Sequence, residues 1–146
     1  MVDASKIKES EFRLKEYISD GIIKTKENPR FVNFFLSNAN KSLNSANALY
    51  DLSTDKKMQE NTGYLDFDGL LWVVNACYYS MFYMARALLE SEGIRIKSQL
   101  SIHAITFDAI IGFFYLNGKL EKRLLTDFAE TMEDANEILG KQKFSG

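Results

Sequence analysis

The side chains best suited to chemistry lie in one stretch of this sequence, NACYYSMFYMARALL, residues 75–89. Within it Tyr79, Tyr83 and Arg86 recur at spacings of four and three residues, so a helix would bring them to one face. An arginine guanidinium holds its donors in a planar fork that suits a phosphate group, and tyrosine rings can stack on the cation. We therefore predict a groove formed by Tyr79, Tyr83 and Arg86 that binds a phosphate or a nucleotide.

The same face has a second interpretation, as a contact surface between two subunits. Trp72, Asn75 and Glu90 extend this face along the helix, and Tyr, Trp, Met and Arg are the residues enriched at protein interfaces. Arg86 and Glu90 lie four residues apart, so we predict that they can pair along the helix. Both interpretations hold together if the groove lies between the subunits of a homodimer.

His103 is the only histidine of the chain and the only residue expected to titrate near neutral pH. We expect His103 in the first turn of a helix over residues 98–117. Free backbone N–H groups at a helix start attract anions and lower the pKa of a histidine there. A histidine that only packs in the core is the more common case. The sequence leaves open whether His103 packs in this way or takes part in a site. Any general-base chemistry in this chain would have to pass through His103.

No metal site and no cofactor are predicted. One histidine and one cysteine, Cys77, do not supply the ligands of an ordinary zinc site. A di-iron bundle would need a Glu-x-x-His motif, and the residue three before His103 is Leu100. The sequence also has no glycine-rich phosphate loop and no G-x-S-x-G motif.

Long helices are the elements expected to position these side chains. A single proline and an apolar fraction of 46% predict an all-α fold with a substantial core. We expect one domain over residues 1–146, an up-and-down bundle of about five helices. Their predicted ranges are about 5–24, 29–52, 68–92, 98–117 and 121–139, and residues 53–67 are predicted to form a flexible loop.

Charge and hydropathy exclude several classes of protein. A net charge of −2 gives no global positive field, so contact with RNA would have to be local. The N-terminal segment has no apolar signal region, and the longest apolar stretch is interrupted by Asn75, Ser80 and Arg86. We therefore expect a cytoplasmic protein with no membrane span, in which Cys77 is a small buried apolar residue.

The order of these features resembles the HEPN domains, in particular their small stand-alone prokaryotic branch. Members of that branch typically read A-x-Y-Y-A-M-F-Y-A-A-R-A-L-L, followed by a glycine, a Lys-Thr-His and an aromatic helix that ends in Gly-x-Leu. This chain has ACYYSMFYMARALLESEG, a basic connector, His103 and FFYLNGKL in the same order. The likeness covers residues 31–136 and is most specific over residues 78–89.

The resemblance implies a helical bundle that commonly dimerises and often accompanies a minimal nucleotidyltransferase as half of a toxin–antitoxin pair. Many HEPN domains are metal-independent ribonucleases, and their signature is an arginine and a histidine separated by four to six residues. Here the corresponding pair, Arg95 and His103, has seven residues between its members. The fifth helix reads TMEDANE where relatives tend to have R-x-x-A-D-Y, so the ribonuclease signature is incomplete.

We therefore expect a HEPN-like homodimer that is non-catalytic or weakly active and has a nucleotidyltransferase protein, or a nucleotide, as its partner. A metal-independent ribonuclease that cleaves RNA with His103 and either Arg95 or Arg86 is the first alternative. A helical adaptor without a ligand is the second.

Overall fold

Helices make up 72% of the computed structural model, which describes the backbone of residues 2–145 and the side chains of residues 2–138. The helices are α1 (Ala4–Ser19), α2 (Val32–Thr54), α3 (Lys56–Thr62), α4 (Leu70–Ser91), α5 (Ile102–Ile110), a π-helix (Ile111–Tyr115) and α6 (Lys122–Ser145). Two short strands, β1 (Ile23–Lys24) and β2 (Arg95–Ile96), pair with each other. The prediction of an all-α helical bundle is confirmed. Within the described residues, no helix is long and apolar enough to cross a membrane.

The longest helix contact joins α2 to α4 in an antiparallel arrangement. At one end of the pair, the backbone N–H of Gly69 donates to the hydroxyl of Ser53 at 2.8 Å. At the other end, the ring of Phe35 stacks on that of Tyr83, with 6.5 Å between centroids. This register places the start of α2 beside the second half of α4, which carries the charged residues Arg86 and Glu90.

Residues 53–67 do not form the flexible loop predicted from the sequence, because they contain the helix α3. Asp55 caps its start by accepting a hydrogen bond from the backbone N–H of Met58 at 3.1 Å. The amide of Gln59 is buried and donates to the carbonyls of Leu52 and Phe67, at 2.8 and 3.3 Å. These local bonds order a polar segment that has no apolar periodicity of its own.

The first predicted helix, 5–24, is too long. α1 ends at Ser19, the chain turns through Gly21 at a φ of +75°, and β1 follows. β1 then pairs antiparallel with β2, and this β1–β2 ribbon places Ile23 opposite Ile96. Both isoleucines are buried, so their contribution to the core explains why the connector after α4 is a strand.

The fourth predicted helix, 98–117, begins later and is divided. The hydroxyl of Ser98 accepts from the backbone N–H of Leu100 at 3.2 Å, and Ser101 has a φ of +56°, so this segment turns before α5 starts at Ile102. His103 lies in the first turn of α5, as predicted. The last turns form a π-helix, which α1 approaches at Gly112.

An ion pair between the exposed Arg13 and the buried Asp108 joins α1 to α5. Arg13 donates from Nε and Nη2 to the two carboxylate oxygens of Asp108, at 2.9 and 3.0 Å. Asp108 is buried, and its hydrogen bond raises the pKa of the Arg13 guanidinium. Bidentate pairing satisfies a carboxylate that would be costly to bury alone.

Cys77 is half-buried, not buried as predicted. Its neighbours one turn away along α4, Val74 and Met81, are half-buried as well. The side of α4 that carries Cys77 is therefore only partly covered by the rest of the chain.

Candidate functional site

A groove of about 470 Å³ lies between the start of α2, the second half of α4, β2 and the start of α5. It is lined by aromatic rings and by four polar groups that can carry charge. The lining comprises Phe31, Phe34, Phe35, Tyr79, Phe82, Tyr83, Arg86, Glu90, Arg95, Ile96, Gln99, Ile102 and His103. All five site residues predicted from the sequence line this one groove.

Arg86 is the half-buried cation of the groove, and its guanidinium lies over two aromatic rings. Its central carbon is 4.6 Å from the ring centroid of Phe35 and 5.8 Å from that of Phe82. No side chain among residues 2–138 forms a hydrogen bond or an ion pair with it. Burial lowers its pKa, although Glu90 and Tyr83 act in the opposite direction. The five N–H donors of Arg86 thus have no protein acceptor in the described part of the chain.

Glu90 does not pair with Arg86, and that prediction was wrong. Its buried carboxylate accepts from Nη2 of Arg95 at 2.5 Å, from Nε of Arg95 at 3.3 Å and from the backbone N–H of Phe31 at 3.3 Å. Burial would raise the pKa of Glu90, but the hydrogen bonds from Arg95 and Phe31 outweigh it and lower the pKa. β2 brings Arg95 into reach, and so Glu90 is occupied by a residue outside its own helix.

Arg95 is consequently a structural residue of the groove wall. Besides Glu90 it donates to the carbonyl of Asn28 at 2.6 Å, and its side chain is only 10% exposed. The hydrogen bond to Glu90 raises the pKa of Arg95. Its charge is compensated and its donors point at the protein, so it is poorly placed to act on a ligand.

His103 lies among the aromatic rings of the same groove. Its Nδ1 is 2.7 Å from the hydroxyl of Tyr78, and its ring centroid is 4.3 Å from that of Phe82. Burial and then the charge of Arg86 lower its pKa, so the imidazole is neutral at pH 7. Burial raises the pKa of Tyr78, which therefore keeps its proton. We assign Tyr78 as the donor to Nδ1, which leaves the proton of the neutral ring on Nε2.

The sequence interpretation missed the aromatic side chains that α2 contributes. Phe31 and Phe34 are exposed in the groove, and the ring of Phe34 meets that of Phe35 edge to face at 5.5 Å. Their signal in the sequence is the run RFVNFF at the start of the helix, which has more aromatic residues than one buried face can use. Together with Tyr79, which is also exposed, they offer flat apolar surfaces next to Arg86.

The arrangement is suited to holding an anion that also carries a flat ring. It provides one unpaired guanidinium, one neutral imidazole N–H and several exposed rings. Among the described side chains, no cluster of three or more His, Cys, Asp or Glu residues is able to hold a metal ion. The described residues that line the groove include no cysteine, serine or lysine that could act as a nucleophile.

Comparison with known proteins adds no relative, since no family model, no curated protein and no solved structure matches this chain.

Proposed function

We propose that this chain is a non-catalytic HEPN-like protein that acts as a homodimer beside a nucleotidyltransferase and binds a nucleotide in the aromatic groove. The resemblance over residues 78–89 supports the family, the dimer and the protein partner. The groove supports the nucleotide. One observation carries that step, namely the half-buried guanidinium of Arg86, which lies on Phe35 with no acceptor among the described side chains.

The groove offers a binding group for the phosphate of a nucleotide and another for its base. The fork of Arg86 suits a phosphate, and the exposed rings of Phe34 and Tyr79 can stack on a base. The Nε2–H of His103 supplies a second donor in the same groove. A volume of about 470 Å³ falls within the range of small-molecule sites.

Two features of the groove argue against ribonuclease activity. Metal-independent cleavage needs a base to take the proton of the 2′-hydroxyl and a cation to stabilise the charge that develops on the phosphate. In the assigned tautomer the Nε2 of His103 carries a proton, and its Nδ1 is occupied by Tyr78. Arg95, the expected cation, is held by Glu90. His103 and Arg86 do share the groove, so a ribonuclease that uses these two is the second candidate.

Calorimetric titration with the four common nucleoside monophosphates tests the proposal. We expect at least one to bind the wild type, and Arg86→Ala to weaken that binding roughly 10- to 100-fold, the value of a charge-assisted hydrogen bond. Arg86→Lys keeps the charge but loses the fork, and should give an intermediate loss. Arg123→Ala removes an exposed arginine of α6 outside the groove and should change nothing.

Absence of binding by the wild type, or equal binding by Arg86→Ala, would contradict the nucleotide site. The protein partner has a separate test, which is copurification of this chain with the nucleotidyltransferase expressed from the same genome. If the two do not copurify at micromolar concentrations, the partnership is wrong even where a nucleotide binds.

A further inference from the structure

An apolar stripe runs along α4 on the side opposite the groove. The stripe consists of Leu70, Val74, Cys77, Met81, Met84 and Leu88. Successive residues in it are alternately four and three positions apart. At 100° per residue they fall within an arc of about 80°. Tyr79 and Arg86 lie near the opposite side of the helix by the same measure. The α4 stripe contains no charged residue.

The rest of the chain leaves the α4 stripe partly uncovered along its length. Leu70, Met84 and Leu88 are 44%, 42% and 40% exposed, and the other three residues are half-buried. Leu124 is also exposed and lines the cavity beside Met84 and Leu88, so the four exposed residues present on the order of 300 Å² of apolar surface, less than half of what one partner buries in a standard interface. Apolar patches of about 300–600 Å² are the largest on a typical monomer, and they are often functional.

The second half of the α4 stripe also borders a cavity. This cavity has a volume of about 360 Å³ and lies between α4, the π-helix and α6. Met84, Leu88, Leu124 and Phe128 line it, and Asp127 is the only charged lining residue among residues 2–138. The cavity is open at the surface and can receive apolar side chains from outside.

We propose that a second copy of this chain covers the α4 stripe, with the two α4 helices antiparallel about a twofold axis between Cys77 and Met81. This inference rests on the homodimer of the proposed function and specifies its interface. The antiparallel orientation follows from the spacing between successive residues of the stripe, which is four, three, four, three and four. This series is the same when the helix is followed in the opposite direction. Each residue then meets an apolar residue of the other copy, as an isologous interface requires.

The pairs that this symmetry creates are Leu70 with the partner's Leu88, Val74 with the partner's Met84, and Cys77 with the partner's Met81. The exposed Leu70 at the start of α4 lies opposite the cavity beside the partner's Leu88. A leucine entering that cavity would fill space that the monomer leaves open. By the twofold symmetry, Leu70 of each copy would enter the cavity of the other copy.

The same symmetry places the two grooves on opposite sides of the dimer. The groove and the α4 stripe lie on opposite faces of one helix, so pairing through the stripe leaves each groove open to solvent. Each groove would then be made by one chain alone. His103 of one copy and Arg86 of the other would not meet across this interface.

Disulfide trapping tests the orientation of the two helices. Met81→Cys places a thiol opposite Cys77 of the other copy, within the reach of a disulfide in closely packed antiparallel helices. We expect mild oxidation to give a covalent dimer of Met81→Cys, and no covalent dimer when Cys77→Ser is added. Covalent dimers of the wild type, through Cys77 alone, would indicate parallel helices and overturn the proposal.

Light scattering with a charge placed in the α4 stripe tests the interface itself. The wild type at tens of micromolar should have twice the chain mass of 16.7 kDa. Leu88→Glu should halve that mass, whereas Leu65→Glu, at an exposed leucine outside the stripe, should leave it unchanged. Circular dichroism of Leu88→Glu checks that the variant is folded.

A monomeric wild type, or a dimer that resists Leu88→Glu, would overturn this interface. Nucleotide titration of Leu88→Glu separates this failure from that of the proposed function, because the groove belongs to one chain. We expect the monomeric variant to bind as the wild type does, and a loss of binding in it would overturn the back-to-back placement of the grooves.

Discussion

Arg86 and Arg95 lie in one groove, but their neighbours leave them different roles. Arg95 directs its donors at Glu90 and at the carbonyl of Asn28, both part of the protein. Arg86 has rings beneath it and no acceptor among the described side chains. A phosphate in the groove would therefore be bound by Arg86, while Arg95 keeps the carboxylate of Glu90 from repelling it.

Lowering the pH from 7 to 5 should strengthen binding of sulfate to the groove. The pKa of His103 is below its ordinary value of about 6.5, so the ring takes a proton only in acid and then adds a positive charge close to Arg86. Glu90 stays ionised because its pKa is lowered as well. Sulfate is a suitable probe, since its own charge does not change in this range, and calorimetry at each pH gives the affinity.

His103→Gln is the matched control for this pH dependence, because glutamine cannot take up the proton. Its sulfate affinity should stay level from pH 7 to 5, and parallel behaviour of the two proteins would show that another group titrates. The lowered pKa also has a consequence for stability. The unfolded chain takes the proton at higher pH than the folded chain, so the free energy of unfolding falls as the pH drops through this range.

The spacing of residues along α4 was enough to predict that Tyr79, Tyr83 and Arg86 share a face. It was not enough to predict which charges pair. Glu90 was expected to pair with Arg86 one turn away, but Arg95 enters from β2 and takes its place. A pairing that depends on the path of the chain after α4 cannot be read from the periodicity of α4.

At the scale of elements, the differences from the sequence predictions lie where the elements are short. β1 and β2 have two residues each, too few to show an alternating pattern. α3 has seven residues and depends on the cap of Asp55 and on the buried Gln59. The long helices α2, α4 and α6 have enough turns for the apolar period to be visible.

Gly93→Ala should destabilise the protein by more than Gly63→Ala. Both glycines have positive φ, +74° and +80°, so alanine is strained at either site by about 1–2 kcal/mol. At Gly93 the added Cβ would also lie 2.7 Å from the carbonyl oxygen of Glu27, whereas nothing lies within 4 Å of it at Gly63. The contact is with backbone, which cannot rotate away, and Gly93 holds the end of α4 against the segment before α2.

Urea unfolding of the two glycine variants gives the comparison. We expect Gly93→Ala to lose about 3 kcal/mol or more of the free energy of unfolding, the sum of strain and displaced backbone. Gly63→Ala should lose only the strain. Equal losses would mean that the Glu27 segment moves freely away from α4.

For the whole molecule, the most important feature is that α4 has a polar face in the groove and an apolar, partly exposed face on its other side. The predicted all-α class followed from composition and from one proline in the chain. The sequence also predicted that α4 would have a polar face, but not that its opposite face would remain partly exposed. That exposure depends on how α2 and α6 divide the surface of α4 between them, which is a property of the assembled bundle.

The purified protein should not cleave structured RNA in the presence of EDTA. In the proposed dimer, back-to-back pairing through the α4 stripe would keep the two grooves apart, and within one groove the Nδ1 of His103 is occupied by Tyr78. Gel analysis of RNA incubated with the wild type and with His103→Ala should give the same result. If the wild type cleaves and His103→Ala loses about 10²- to 10⁴-fold in rate, the ribonuclease alternative is correct.

The ion pair between Arg13 and Asp108 also constrains the order of events during synthesis. Its two residues are 95 positions apart, and β1 likewise waits for β2 to be made. At about 5–20 residues per second, roughly 5 to 20 seconds separate the appearance of Arg13 from that of its partner. α2 and α4 are closer in sequence and can pair first. α1 therefore docks late, and Leu14, buried in the finished protein, stays accessible to chaperones in the meantime.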